Sequence, residues 1–323
     1  MRYLATGTAK QISKIGLGTW QFGSKEWGYG DPYADQESHA IVRRALQLGV
    51  TLFDTAEIYG HGRSERILGR ALGEDLDSVF LATKILPVLP LAPVVEQRAV
   101  ASANRLGARH LDLYQMHQQN PVVRDAPAMR GMRALQRVGL VGEVGVSNYS
   151  LDRWRAAEAA LGGPVLSNQV QYNLVERAPE RDLLPYAEAE GRLIIAYSPL
   201  AQGLLSGRYH RDNLPANRVR GANPLFLPEN IERASELIGV LRGVADAHGA
   251  TPAQIALAWV IRSPAVTAIP GASSVEQLES NVAAADIDLS DDEDQALRAA
   301  SDRFRPLTGP GLVPRLLRAR FGR

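Results

Sequence analysis

The chain contains no cysteine, and this absence excludes disulfide bonds, thiolate metal sites and cysteine nucleophiles. It also has no excess of either charge. Its 36 basic and 35 acidic side chains give a net charge of +1, so no global field favours nucleic acid or an anionic membrane. No apolar run reaches membrane-spanning length, and the N-terminal residues lack the apolar stretch of a signal peptide. We therefore expect a cytoplasmic protein that binds neither nucleic acid nor membrane.

Short β-rich segments alternate with segments of helical periodicity along the 323 residues. Strands are predicted at 15–17, 51–54, 79–83, 111–116, 141–146, 165–169, 193–197 and 266–269. Nearly continuous apolar strands, each followed by a helix, indicate a parallel α/β sheet that helices cover on both faces. Eight such units close most naturally into a (β/α)8 TIM barrel. A doubly wound sheet is the alternative, but the chain lacks the G-x-G-x-x-G fingerprint of the dinucleotide-binding form.

No linker or internal repeat divides the chain, so we expect one domain over residues 1–323, with an N-terminal β-hairpin ahead of the barrel. A long loop at 200–229 and two helical stretches separate the seventh predicted strand from the eighth, and loops of that length are usually functional or mobile. Capping boxes that begin at Thr251 and Ser290 predict the starts of two helices. From about 303 to 323, arginines mixed with Pro and Gly predict an extended or flexible basic tail.

Four polar side chains lie at or just beyond the carboxyl ends of three successive predicted strands. Asp54 ends the second strand and Tyr59 follows it, Lys84 comes directly after the third strand, and His117 directly after the fourth. In a barrel, the carboxyl ends of the strands share one rim, where active sites lie. A phenol beside an ammonium group can protonate a carbonyl oxygen during its reduction, because the ammonium stabilises the phenolate and lowers the pKa of the phenol. Asp54 would keep Lys84 charged, and His117 would orient the carbonyl.

Each of these residues also has a purely structural interpretation. Asp54 can cap a loop, Tyr59 can pack against its neighbours, and His117 can be a satisfied core residue. A lysine that ends a buried strand needs a specific partner, and the occurrence of all four at consecutive strand ends favours catalysis. A Schiff-base lysine, as in an aldolase, would require a neutral Lys84, which Asp54 opposes. The other histidines lack the spacing of metal ligands, so we predict no metal site.

The sequence resembles the aldo-keto reductases, which are NAD(P)H-dependent carbonyl reductases with a (β/α)8 barrel. The resemblance extends from about residue 15 to residue 281. It rests on GLGTWQFG, FDTAEIYG, ATK, LYQMH, GVSNY, SNQVQYN, AYSPLAQGLLSGRY and IPGASSVEQLESN, in the order and spacing of the family. The branch it looks most like includes bacterial general reductases and the β subunits of voltage-gated potassium channels. The resemblance implies that Tyr59 is the general acid and that Lys84, Asp54 and His117 complete a catalytic tetrad.

The resemblance also implies a nicotinamide cofactor at the barrel mouth, with NADPH favoured over NADH. The implied cofactor-binding residues are Thr19, Trp20, Ser147, Asn148, Gln169, Tyr197, Ser198, Pro199, Leu200, Gly203, Arg208, Arg218, Gly271, Ser273, Gln277 and Asn281. Ser147, Asn148 and Gln169 would hold the carboxamide, Tyr197 would stack on the ring, and the two arginines would bind the phosphates.

Parts of the implied cofactor site also have simpler interpretations. The Ser147–Asn148 pair fits a strand-end turn, and Ser273 and Ser274 fit helix caps, a geometry that phosphate binding shares. Ser273 stands where many relatives carry arginine, and Ser280 followed by Asn281 stands where relatives usually carry glutamate. The first departure weakens the preference for NADPH, because that arginine pairs with the 2′-phosphate. The second removes a residue that holds the adenine in relatives.

Aromatic residues near the first predicted strand suggest the substrate pocket. Trp20, Phe22, Trp27 and Tyr29 would favour aromatic or medium-sized aliphatic carbonyls, although Trp27 and Tyr29 can instead cover the barrel end. The ligand expected is a small-molecule carbonyl, and no obligate protein partner is evident. The same fold and cofactor site also serve redox-sensing regulatory subunits, so a cofactor-binding subunit with little turnover is the alternative function.

Overall fold

The computed structural model of the protein describes residues 1–24, 32–215, 218–309 and 312. The side chains of residues 32–34 and 218–219 also lie outside this description.

Eight parallel strands form the central sheet, and each pairs with the next along the chain. They are β3 (Leu17–Gly18), β4 (Leu52–Asp54), β5 (Phe80–Ile85), β6 (Leu111–Met116), β7 (Val141–Ser147), β8 (Ser167–Gln171), β9 (Leu193–Tyr197) and β10 (Val266–Ala268). A parallel bridge between Ile15 and Ala268 joins the first of these strands to the last. The amide of Gly16 donates to the carbonyl oxygen of Ala268 at 2.8 Å across the same seam. The predicted (β/α)8 barrel is therefore confirmed.

Helices surround this sheet. In the described part of the chain they are α1 (Pro32–Gln47), α2 (Arg63–Leu72), α3 (Ala92–Leu106), α4 (Ala126–Arg137), α5 (Leu151–Leu161), α6 (Leu183–Glu190), α7 (Arg218–Gly221), α8 (Pro228–Arg233), α9 (Ser235–Ala247), α10 (Pro252–Val260), α11 (Val275–Ala283) and α12 (Asp291–Arg303). The capping boxes predicted at Thr251 and Ser290 are confirmed at the starts of α10 and α12. None of the helices in these residues is long and apolar enough to cross a membrane.

A two-stranded antiparallel hairpin precedes the barrel, as predicted. It pairs β1 (Tyr3–Leu4) with β2 (Ile12–Ser13). Leu4 and Ile12 are buried in one apolar cluster with barrel-strand residues such as Leu52 and Leu193, which lie at the amino ends of β4 and β9. The hairpin therefore closes the amino-terminal end of the barrel with apolar side chains.

The long excursion between β9 and β10 is more helical than the sequence suggested. The described residues form a 3₁₀ segment at 201–206 and then α7, α8, α9 and α10. The described start of the predicted tail is extended and packs against α8. The amide of Leu307 donates to Asn230 Oδ1 at 2.6 Å, and Arg233 donates to the carbonyl oxygen of Arg305 at 2.9 Å. Residues 310–311 and 313–323 lie outside the described residues.

Candidate active site

The four predicted catalytic residues meet at the carboxyl end of the barrel. Lys84 Nζ donates to Asp54 Oδ1 at 2.5 Å, to the carbonyl oxygen of Thr55 at 2.9 Å and to Tyr59 Oη at 3.2 Å. Lys84 and Asp54 are fully buried, so their opposite charges compensate each other out of water. The ring of His117 meets that of Tyr59 edge-on, with 5.6 Å between the ring centroids.

The surroundings shift the pKa values of Lys84 and Tyr59. Burial alone lowers the pKa of Lys84, but Asp54 and then Tyr59 raise it above the usual value, so the ammonium stays charged. Burial raises the pKa of Tyr59, Lys84 opposes this rise, and Asp54 adds to it. The net shift is upward, so the expectation of a phenol more acidic than free tyrosine is wrong in this structure. The lysine acts in the predicted direction, but burial outweighs it.

His117 is neutral at physiological pH. Burial, followed by the nearby charge of Lys84, lowers the pKa of His117 to about 3. Its Nδ1 atom is buried and has no hydrogen-bond partner within the described ranges. A neutral imidazole can donate a single hydrogen bond to a carbonyl oxygen without competing for its proton.

Two carboxamides hold the remaining oxygen of Asp54. Gln169 Nε2 donates to Asp54 Oδ2 at 2.9 Å, and Gln115 Nε2 donates to the same atom at 3.3 Å. Gln115 is fully buried, and sequence analysis did not include it in the site. The signal was its position two residues before His117, because alternate residues of a strand face the same side.

A cavity of about 680 Å³ opens beside the tetrad. Asp54, Tyr59 and His117 line it, whereas Lys84 is buried behind them. The predicted cofactor-binding residues that also line it are Thr19, Trp20, Ser147, Asn148, Gln169, Tyr197, Ser198, Pro199, Leu200, Gly203, Arg208, Gly271, Ser273, Gln277 and Asn281. The fold thus brings together the whole predicted set apart from Arg218.

One wall of the cavity is a row of hydrogen-bonded polar groups at the ends of β7, β8 and β9. Ser147 Oγ donates to the carbonyl oxygen of Gln169 at 2.8 Å, Asn148 Nδ2 donates to Ser147 Oγ at 3.1 Å, and Tyr197 Oη donates to Asn148 Oδ1 at 3.0 Å. Asn148 and Ser198 adopt left-handed backbone with φ of 59° and 47°. Such strain persists only where the surroundings enforce it, and it is concentrated at functional sites.

A second wall carries positive charge. Arg208 and Arg220 both line the cavity near the 3₁₀ segment at 201–206. Arg220 Nε donates to the carbonyl oxygen of Gln202 at 2.8 Å, and its guanidinium lies 5.9 Å from the ring centroid of Tyr209. Gly203 has a φ of 99°, a conformation that glycine adopts without strain. Two guanidinium groups beside an open backbone turn suit phosphate oxygens.

The start of α11 forms another part of the cavity wall. Ser274 Oγ accepts a hydrogen bond from the amide of Gln277 at 3.3 Å, which confirms that Ser274 caps the helix. Gln277 Oε1 in turn accepts from the amide of Ser273 at 3.0 Å and from its hydroxyl at 2.9 Å. Ser273 and Gln277 also line the cavity, so capping and exposure to a ligand coexist here.

The structure removes one residue from the predicted substrate pocket. Trp20 lines the cavity and is 46% exposed, but Phe22 is fully buried in the hydrophobic core, so its assignment to the pocket is wrong. The amide of Phe22 donates to the carbonyl oxygen of Thr19 at 3.0 Å, and this turn places Phe22 in the core. Burial of its large apolar ring there is favourable. Trp27 and Tyr29 lie outside the described residues.

The structure adds one arginine to the residues predicted to bind phosphate. The side chain of Arg218 lies outside the described part of the chain, whereas Arg220, which sequence analysis passed over, lines the cavity. Both arginines belong to one short run, NRVRG, and nothing in that run predicts that Arg220 faces the cavity.

Comparison with known proteins gives consistent results. Residues 14–302 match the model of the Aldo/keto reductase family. An uncharacterized oxidoreductase of Mycobacterium tuberculosis is 55% identical over 100% of both chains. The solved glycerol dehydrogenase of Gluconobacter oxydans is similar with a TM-score of 0.86 and 28% identity, covering 95% of this chain and 98% of that chain. A Klebsiella pneumoniae aldo-keto reductase, solved in complex with NADPH, has a TM-score of 0.75 at 29% identity, covering 96% of this chain and 98% of that chain.

Proposed function

The chain belongs to the aldo-keto reductase family of oxidoreductases, and we propose that it reduces aldehydes and ketones to alcohols with NADPH. The observation that carries the proposal is the position of the buried Lys84 ammonium, 2.5 Å from Asp54 and 3.2 Å from the hydroxyl of Tyr59, a residue that lines the cavity. A phenol supported by a fixed positive charge is suited to giving up a proton where negative charge develops on oxygen.

Tyr59 is the proposed proton donor to the substrate oxygen. Burial keeps the phenol protonated before reaction, so a proton is available at neutral pH. Lys84 stabilises the phenolate that remains after the transfer, and Asp54 keeps that lysine charged. His117, held neutral, donates a hydrogen bond that aims the carbonyl at Tyr59. When bound, the nicotinamide supplies the hydride that the carbonyl carbon accepts.

The donors and acceptors along the cavity fit a nicotinamide dinucleotide. Ser147, Asn148 and Gln169 offer polar groups for a carboxamide, and Tyr197 offers a flat face for its ring. Arg208 and Arg220 offer guanidinium groups for the pyrophosphate. An NADPH-bound solved relative supports the same choice of cofactor. We also propose that the chain forms a single barrel domain.

The start of α11 supports NADPH over NADH. Ser273 and Ser274 place a hydroxyl and a capped helix N-terminus at the end of the cavity, where a 2′-phosphate would lie. The exposed ring of Trp20, which also lines the cavity, supports carbonyl substrates with an apolar substituent.

Replacement of the proton donor tests the proposal. Tyr59→Phe removes only the hydroxyl, so NADPH-dependent reduction of an activated aromatic aldehyde should fall about 100- to 10,000-fold while NADPH binding persists. Turnover is followed by loss of NADPH absorbance, and binding by quenching of protein fluorescence. Tyr186→Phe, which removes a hydroxyl bonded to Glu158 away from the cavity, is the matched control and should keep wild-type turnover.

Two results would contradict the assignment. Wild-type turnover in Tyr59→Phe would mean that another group donates the proton. A wild-type protein that binds NADPH but reduces no carbonyl faster than the variant would favour the alternative of a cofactor-binding regulatory subunit.

A further inference from the structure

The loop that carries Tyr59 is tied to the end of the strand that carries Lys84. The amide of Leu86, two residues after Lys84, donates to Glu57 Oε1 at 2.6 Å. The amide of Glu57 donates to the carbonyl oxygen of Lys84 at 3.2 Å. Arg98 Nη1, on α3, donates to the carbonyl oxygen of Leu86 at 2.9 Å. Glu57 lies two residues before Tyr59, so these bonds link the two halves of the proposed proton-donating pair.

A guanidinium fork completes this link. Arg98 Nε donates to Glu57 Oε2 at 2.8 Å, and Arg98 Nη2 donates to Glu57 Oε1. The Glu57 side chain is only 9% exposed. Burial raises the pKa of Glu57, while the Leu86 amide and Arg98 lower it, so the charged form depends on these partners. A two-pronged ion pair of this kind fixes orientation as well as distance.

The same segment also reaches the loop that follows His117. Asn120 Nδ2 donates to the carbonyl oxygen of Pro87 at 2.7 Å. Asn120 Oδ1 accepts hydrogen bonds from the amides of Val122 and Val123, so its own loop is ordered around it. The residues directly after β5 therefore contact both neighbouring catalytic loops.

We propose that the Glu57–Arg98 pair positions the Tyr59 hydroxyl against the Lys84 ammonium. Neither member of the pair is among the residues that line the cavity, so the pair acts through the loop and not on the substrate. The inference rests on the proposed function, because it requires Tyr59 to be the proton donor. Proton transfer depends steeply on geometry, and a displacement of about 1 Å can cost about 100-fold in rate.

Arg98→Met removes the fork and keeps much of the aliphatic stem. The kcat should fall about 10- to 100-fold, while the Kd for NADPH stays unchanged, because the proposed cofactor residues lie on other loops. Arg192→Met is the matched control. Arg192 forms a similar partly buried pair with Glu158 at 2.7 Å, at the amino end of β9. The Arg192→Met variant should lose about as much thermal stability as Arg98→Met but keep wild-type kcat.

A second variant distinguishes a loss of positioning from a loss of folding. Arg98→Met leaves the buried Glu57 carboxylate without its countercharge, which destabilises the fold. The double variant Glu57→Gln/Arg98→Met leaves no unpaired charge, and its kcat should remain as low as that of Arg98→Met. Wild-type kcat in the double variant, or an equal loss of kcat in Arg192→Met, would overturn the inference.

Two further measurements separate this inference from the proposed function. In a Tyr59→Phe background, Arg98→Met should cause no additional loss of kcat, and a further loss would mean that the pair acts elsewhere. If the wild-type protein reduces no carbonyl, the proposed function fails, but hydrogen exchange still tests the link. The amides of residues 56–62 should exchange faster in Arg98→Met than in Arg192→Met, and equal exchange would overturn the inference.

Discussion

At the scale of single residues, the grouping of the four proposed catalytic residues could be predicted because each lies at or just after a strand end. Asp54, Lys84 and His117 each end or follow a predicted strand, and barrel topology brings strand ends together. What the sequence could not give is the balance of forces on Tyr59. Its pKa depends on how deeply the fold buries it, and burial outweighs the lysine. Gln115 was missed for a related reason, since it looked like an interior strand residue.

His117 gives a prediction about stability and pH. Its pKa of about 3 in the folded state lies below the unfolded value, so the unfolded chain binds a proton first as pH falls. The stability linked to the neutral ring is fully present above the unfolded pKa, and is lost as pH falls from there toward 3. The positive charge of the buried Lys84 lowers the pKa of His117 further, and so adds to the loss of stability at low pH.

Urea unfolding at pH 7.5 and pH 5 measures this loss. Between these values the wild type should lose about 1 to 2 kcal/mol more of its free energy of unfolding than His117→Gln, which cannot take up the proton. Equal losses in the two proteins would show that His117 titrates normally in the folded state.

At the scale of elements, capping and periodicity located helices well, but not how closely they pack. The boxes at Thr251 and Ser290 appear where predicted, because their hydrogen bonds involve only residues three apart. Close contact between helices involves residues far apart in sequence. Gly69 on α2 lies against the end of α3, where a Cβ atom would be 2.1 Å from the carbonyl oxygen of Leu106. The pattern SERILGRALG predicts the helix and gives no sign of this contact.

Gly69→Ala should therefore destabilise the protein by about 1 to 3 kcal/mol, since backbone atoms of α3 must shift to admit the methyl group. Gly243→Ala on α9 is the matched control, because a Cβ atom there meets nothing within 4 Å. That change should stabilise the protein by up to about 1 kcal/mol, as alanine favours the helix. Urea unfolding compares the two variants, and equal midpoints would contradict the close α2–α3 contact.

At the scale of the whole molecule, the barrel followed from the alternation of eight strand and helix patterns taken together. The cavity follows less directly, since it gathers loops from β3, β4, β6, β7, β9 and β10 together with α11. The resemblance to the aldo-keto reductases supplied most of that set. Arg220 was missed because nothing in the run NRVRG predicts that it faces the cavity. Phe22 was misplaced because a single turn decides between cavity and core.

The preference for one cofactor depends on how tightly the residues around the start of α11 bind the 2′-phosphate of NADPH. The residues from Gly271 to Asn281 include no lysine or arginine, and Glu276 adds negative charge near the start of α11. The proposed preference for NADPH therefore relies on hydroxyls and helix amides, which discriminate less strongly than a guanidinium fork. We expect NADPH to bind about 3- to 30-fold more tightly than NADH, since helix N-termini contribute about 0.3 to 1 kcal/mol per charge and a phosphate carries about two.

Fluorescence titration with both cofactors measures the ratio of the two dissociation constants, and tighter or equal binding of NADH would contradict the preference. Ser273→Arg sharpens the comparison, because it places a guanidinium at the wall that Ser273 now lines. It should raise the affinity for NADPH about 10-fold and leave that for NADH nearly unchanged, since only the phosphate gains a charge-assisted hydrogen bond. An equal gain for both cofactors would mean that the 2′-phosphate lies elsewhere in the cavity.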